Sequence, residues 1–226
     1  VPQFNWVFDN EPPTMTITAS QGATGFTSND ATLSLTFTAN EPVTDFVAND
    51  VAAVNGTIGS LTTVSDTVYT ATFTPTASGT CTIDVPANSF TDAVGGNNAA
   101  VPQFTWTYDG TAPTMTITSS QGIDGFTSND TTLSLTFTAS EPVTGFVAND
   151  IVTGNGIIGS LTTVSNTVYT AIFTPGGQGA CTIDVAANSF EDMVGNDNTV
   201  PVPQFNWVFD NEPPTMTITA SQGATG

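Results

Sequence analysis

No lysine, arginine or histidine occurs in the 226 residues, against 20 aspartates and glutamates, for a formal net charge of −20. Ordinary globular chains are about a quarter charged with both signs mixed, so this absence excludes whole classes of function. Nothing can neutralise phosphate, which rules out nucleic-acid binding and attraction to anionic membrane surfaces. Catalysis loses its imidazole base, lysine nucleophile, arginine clamp and P-loop lysine. Only paired-carboxylate chemistry of the glycosidase kind stays open, and no catalytic residue is assigned. Cross-links through lysine are barred as well. With no basic side chain to pair with, each carboxylate must be solvated, hydrogen-bonded to N–H groups or bound to a cation. Hard metal ions are therefore the first partner to consider.

Cysteine is almost as scarce. Cys81 and Cys181 lie one repeat apart, each in the run CTIDV, so no disulfide closes within a domain and a cysteine-stapled scaffold is excluded. Alternation with Thr and Asp marks both as small buried apolar side chains. No apolar run approaches the roughly 20 residues that cross a bilayer, so no membrane insertion is expected in this window. No signal peptide is seen, but the chain begins inside a repeat and its true start is not in view. Threonine, at about a fifth of the residues, suits a solvated β surface open to O-glycosylation.

What the chain has is repetition. VPQFNW at Val1 returns as VPQFTW at Val101 and as VPQFNW at Val202. Residues 1–100 and 101–200 agree at about 70 of 100 positions without a gap. Residues 202–226 repeat residues 1–25 without a change, implying a higher-order unit of two domains. The chain reads as a window cut from a longer array, or as the repeat of a continuous filament.

Period-2 alternation is dense. Thr14–Ala19 places Met15, Ile17 and Ala19 on one face, and Thr32–Thr38 does the same with Leu33, Leu35 and Phe37. Val68–Thr74, Thr80–Val85 and Val101–Tyr108 follow, with Val43–Ala48 and Thr57–Thr63 as shorter strands. Turn-forming stretches such as SQGATG, NEPV and GGNN separate them. About seven short strands per 100 residues predict an all-β fold of tandem immunoglobulin-like β-sandwich domains in an extended array. The aromatics, alternating inward, are read as core. Prolines in DNEPPT and DGTAPT mark linkers. Residues 1–8 are then the last strand of a preceding repeat, 9–108 and 109–209 are two domains, and 210–226 begin a following one.

The run FTSNDATLSLTFTANEPVTDFVAND, then YTATFTP, then NSFTDAVGGNN ahead of the final strand resemble bacterial immunoglobulin-like tandem repeats of large surface adhesins and biofilm-type proteins. The resemblance covers essentially the whole chain. It implies an extracellular, cell-surface location, a stalk role, and calcium at domain junctions, as is common in family stalks.

Six acidic positions recur between the repeats: Asp9/Asp109, Asp30/Asp130, Glu41/Glu141, Asp50/Asp150, Asp84/Asp184 and Asp92/Asp192. If the strands run alternately up and down, Asp9, Glu41 and Asp92, with the amides of Asn97 and Asn98, converge at the domain entrance. Asp30 and Asp50 fall at the opposite pole, facing linker residue Asp109. A junction then draws on Asp30, Asp50, Asp109, Glu141 and Asp192. Corresponding sets include Asp130, Asp150 and Asp210. Ca²⁺, which takes about 6–8 oxygens with relaxed geometry, is the expected structural cofactor, and Zn²⁺ is not. The alternative is that these are solvated loop residues and Asx turns, with Asp84 and Asp184 solvated on mid-strand. Sequons at Asn55 and Asn129 fall in different repeats and are candidate glycosylation sites.

The leading expectation is a non-enzymatic structural stalk or filament, stiffened by calcium, serving surface adhesion or fibre formation. Its partners are neighbouring repeats or protomers of the same protein, with a surface glycan or receptor met elsewhere in the full protein. The alternatives are a non-covalent filament built by strand complementation between protomers and a carbohydrate-binding adhesin module.

Overall fold

The computed structural model describes residue 3 and residues 8–219. Most of residues 1–8, expected as a strand of a preceding repeat, and residues 220–226 lie outside them. The chain divides into two units, Val1–Thr111 and Ala112–Gly226.

In the first unit nine strands form two sheets. They are β1 (Met15–Ala19), β2 (Phe26–Ser28), β3 (Leu33–Ala39), β4 (Ala52–Val54), β5 (Gly56–Ile58), β6 (Thr62–Thr63), β7 (Val68–Pro75), β8 (Gly79–Asp84) and β9 (Phe104–Tyr108). One sheet has the order β1-β3-β7-β5, with β6 also on β7, and the other β2-β9-β8-β4. All pairs are antiparallel except β2 with β9, where Phe26, Thr27 and Ser28 face Trp106, Thr107 and Tyr108 in parallel. Alternation sets the burial: Leu33, Leu35 and Phe37 are sealed inside, while Ser34 and Thr36 between them face outward. Phe73, Ile83, Phe90 and Trp106 complete the core, each such side chain contributing about 1.5–3 kcal/mol of burial free energy. Cys81 is buried among them. The Trp106 indole N–H donates to Ser28 Oγ at 3.1 Å, so the largest core side chain leaves no polar group unpaired.

The second unit repeats the plan. Its strands are β10 (Met115–Ser119), β11 (Phe126–Ser128), β12 (Leu133–Ala139), β13 (Val143–Thr144), β14 (Ile151–Gly154), β15 (Gly156–Ile158), β16 (Thr162–Thr163), β17 (Val168–Pro175), β18 (Gly179–Val185), β19 (Glu191–Asp192) and β20 (Phe205–Phe209). The sheets are β10-β12-β17-β15, with β16 on β17, and β11-β20-β18-β14, with β13 and β19 forming a separate pair.

Local assignments depart from the expected strands in three places. Val43–Ala48 is no strand in the first unit. Val43 makes one bridge to Asp92, and its buried partner Phe46 lies three residues on, a spacing suited to a loop. The Phe46 ring packs on Phe37, Tyr69 and Phe90, with centroids 5.3–5.4 Å apart. Thr57–Thr63 breaks at Gly59, giving β5 and β6 as two short pieces of one edge. The three-residue strands β2 and β4 are too short for alternation to reveal.

Candidate metal centre

The linker enters the first domain through Asp9, whose Oδ1 accepts the Glu11 N–H at 3.2 Å. Pro12 and Pro13 hold the chain extended up to β1. Thr14 and Asn40 then fasten it: the Thr14 N–H donates to Asn40 Oδ1 at 2.7 Å, and the Asn40 N–H to the Thr14 carbonyl at 3.0 Å. Glu41 follows directly, at the same end of the sheet.

The third carboxylate comes from the loop between β8 and β9. Asp92 is only 4% exposed, and its Oδ1 accepts the N–H groups of Val94 and Gly96, both at 2.8 Å. Asn98 organises the base of this loop. Its Oδ1 accepts from the Ser89 and Phe90 N–H groups, and its Nδ2 donates to the carbonyls of Pro86 and Ala99. The Thr91 N–H donates to Asp45 Oδ1 at 2.7 Å, lacing this loop to the one after β3.

Carboxylate oxygens of Asp9, Glu41 and Asp92 thereby come within 4.8 Å of one another, and those of Asp109, Glu141 and Asp192 do the same. The residues fit a hard cation on two counts. First, oxygens held about 2.4 Å from one ion lie at most about 4.8 Å apart, and every donor here is a carboxylate. Second, the hydrogen bonds to Asp92 fall on Oδ1 and leave Oδ2 at the surface to face a ligand; a Cβ on Gly96 would come 2.5 Å from that atom. Two unit charges at such a separation repel by about 1 kcal/mol in bulk water and about 3.5 kcal/mol at an effective dielectric of about 20, and no basic side chain exists to offset this.

The two repeats differ at one residue that sequence reasoning passed over. Gly96 is replaced by Asn196, whose Nδ2 donates to Asp192 Oδ2 at 2.7 Å. Burial pushes the Asp192 carboxyl up, but the N–H and side-chain amide of Asn196, with the N–H groups of Val194 and Gly195, together hold it below its ordinary value. The signal was present as GGNN against GNDN, but nothing in the pattern marks the first of those differences as a contact to Asp192.

The remaining acidic positions do not join these groups. Asp30 Oδ2 accepts the Ser28 hydroxyl at 2.6 Å, and Asp130 Oδ2 that of Ser128; each steadies the serine that receives the buried indole. Asp50 Oδ2 accepts the Val47 N–H at 2.7 Å, closing a short 3₁₀ turn, and Asp150 does the same for Val147. Of the expected set Asp30, Asp50, Asp109, Glu141 and Asp192, the last three come together. Asp210 Oδ1 accepts the Gln178 side-chain amide at 2.6 Å and the Glu212 N–H. Asn98 is no ligand, because its oxygen already accepts two N–H groups, and Asn97 is exposed. Asp84 and Asp184 accept the amides of Gln103 and Gln204. Of the sequons, Asn129 is exposed. Asn55 sits at φ 56° and turns its Nδ2 onto the Ala77 carbonyl at 2.8 Å, an arrangement Asn155 repeats with Gly177.

The family of bacterial Ig-like domains matches residues 9–107 and again 109–206. Among solved structures, the chain is similar to the Escherichia coli adhesin FdeC (18% identity, TM-score 0.45, covering 87% of this chain and 64% of that one). It is also similar to InvD of Yersinia pseudotuberculosis (18%, 0.40, 94% and 64%) and to invasin, a bacterial integrin-binding protein (18%, 0.45, 87% and 40%). The chain thus spans less than two thirds of each of these structures. No curated protein matches its sequence.

Proposed function

Because this chain belongs to the family of bacterial Ig-like domains, we propose that it is a non-enzymatic structural stalk of surface adhesion, built from tandem domains and stiffened by calcium where each linker enters. The observation that carries the reading is the recurring group of three carboxylates, two on loops of the domain and one on the linker, in a protein without a basic side chain. Asp9, Glu41 and Asp92 would hold the first ion, and Asp109, Glu141 and Asp192 the second. A bound ion supplies positive charge shared by all three carboxylates, which fixes the linker residue to the loops and the direction in which the linker runs. Extracellular modules of this kind bind calcium with Kd near 10⁻⁴–10⁻³ M, and at ten times Kd each site adds about 1.4 kcal/mol to stability.

The test is thermal unfolding and small-angle scattering of the full chain in millimolar calcium, in millimolar magnesium and in chelator. A melting temperature raised by several degrees with calcium, and a smaller spread of conformations, are expected. Asp92→Asn should remove most of the response of the first domain. Identical curves in calcium and chelator would sink the calcium reading and leave the stalk.

A further inference from the structure

We infer that each domain is a load-bearing module whose resistance to tension resides in the parallel contact between its second and last strands, with or without calcium. The argument starts from chain direction. β1 is antiparallel to β3 and β3 to β7, the short turn from β7 to β8 reverses the chain, and β9 is antiparallel to β8. So β9 and its parallel neighbour β2 run the same way as β1, with β1 paired in one sheet and β2 in the other. β9, the last strand, runs parallel to β2 and leads straight into the next linker. Tension along a tandem chain pulls β1 and β2 back towards the entrance and β9 forward towards the exit. The two neighbours are drawn past one another along their common axis, so the hydrogen bonds between them must stretch together; in a hairpin opened from its end they would break one at a time.

The side chains around this contact suit that load. Beyond the three paired residues, the Gly25 N–H donates to the Thr105 carbonyl at 2.7 Å, and the Asp109 N–H to the Ser28 carbonyl at 3.0 Å. The Thr105 N–H, the next donor along the edge, is taken by Thr24 Oγ1 at 3.0 Å. Phe26 stacks on Trp106 with centroids 6.0 Å apart, and the indole is fastened to Ser28. In the second domain Gly125 and Asp210 make the matching backbone bonds to Asn206 and Ser128, and Phe126 stacks on Trp207. The loop residues differ, yet the role survives: Asp124 Oδ1 accepts the Asn206 N–H at 2.7 Å and also its side-chain amide. Two unlike side chains at one position, both accepting the same edge N–H, point to a selected contact. A charged acceptor makes the stronger bond, so the second domain is the more resistant of the two.

Single-molecule force spectroscopy on the full chain, held at its ends, reads this directly. Each unfolding event should release about 300 Å of chain, the reach of about 94 residues. Thr24→Val should shorten the lifetime of the first domain at constant force about fivefold, equivalent to about 1 kcal/mol, and leave the second domain unchanged. Asp124→Ala should shorten that of the second by more. Tyr69→Phe is the control. It removes a buried bond to the Val43 carbonyl and lowers equilibrium stability, but that bond is intact when the strands part, so the lifetime under load should not change. The same pattern is expected in chelator, which separates this inference from the calcium reading. Equal shortening by Thr24→Val and Tyr69→Phe, or none by Thr24→Val and Asp124→Ala, would overturn it.

Discussion

Replacing Asn98 by alanine should unfold the first domain selectively, because one amide serves four backbone groups. Asn98 is 2% exposed. Alanine strands the N–H groups of Ser89 and Phe90 and the carbonyls of Pro86 and Ala99. Hydrogen bonds of this kind are worth about 0.5–1.5 kcal/mol net, and an unsatisfied buried group costs about 1–3 kcal/mol. If water reaches some of the exposed loop, a total loss of about 3–5 kcal/mol remains. Domains have about 5–15 kcal/mol in all, so the variant sits near the edge of folding. Urea unfolding of the full chain, followed by tryptophan fluorescence, should turn from a single broad transition into two. At a slope of about 1.5 kcal/mol/M the midpoint of the first domain falls by about 2–3 M, while the second, with Asn198 intact, serves as an internal reference. The loop also carries Asp92, so the calcium response of the first domain should vanish with it. A loss under about 1 kcal/mol, or an equal fall in both domains, would refute the reasoning that Asn98 is a loop staple.

Three further outcomes follow from the sites. Gly96→Asn should give Asp92 Oδ2 the amide donor that Asp192 Oδ2 already has, so the calcium-induced rise in melting temperature of the first domain should shrink towards that of the second; an undiminished rise argues against it. Asp192, held below its ordinary value, contributes stability that is present above the unfolded aspartate range near pH 4 and is lost as pH falls through its lower folded value. Comparing urea midpoints at pH 6 and pH 3 in chelator, Asp192→Asn should flatten the acid loss of the second domain only. Burial pushes the Cys81 and Cys181 thiols up, so a thiol reagent at pH 8 should label neither in the native chain and both in denaturant.

The sandwich was legible because alternation is a property of long, half-buried strands, and β3, β7 and β8 have it in full. The meeting of Asp9, Glu41 and Asp92 was legible for a related reason: strand parity decides which loops share a pole. Parity does not reach the local hydrogen bonds. Asp30 and Asp50, like Asp130 and Asp150, accept bonds from a nearby serine or backbone N–H, and recurrence alone cannot separate such a bond from metal binding. Asn98 looked like a ligand because an amide beside carboxylates can serve either purpose, and only the donors around it decide. The strand expected at Val43–Ala48 failed where three aromatic contacts of Phe46 set the spacing instead of a pleat.

The contact between Thr24 and Thr105 has a consequence for how such chains behave side by side. β2 covers only the last part of the edge of β9, leaving the start of that strand open to pairing with a foreign chain. Natural sheets commonly guard such edges with an inward or edge lysine, and this protein has none. A hydroxyl in the first domain and a carboxylate in the second fill the exposed N–H instead. A filled N–H offers no donor at that position to a strand of another chain, so the open end of this edge is a poor template for edge-to-edge pairing.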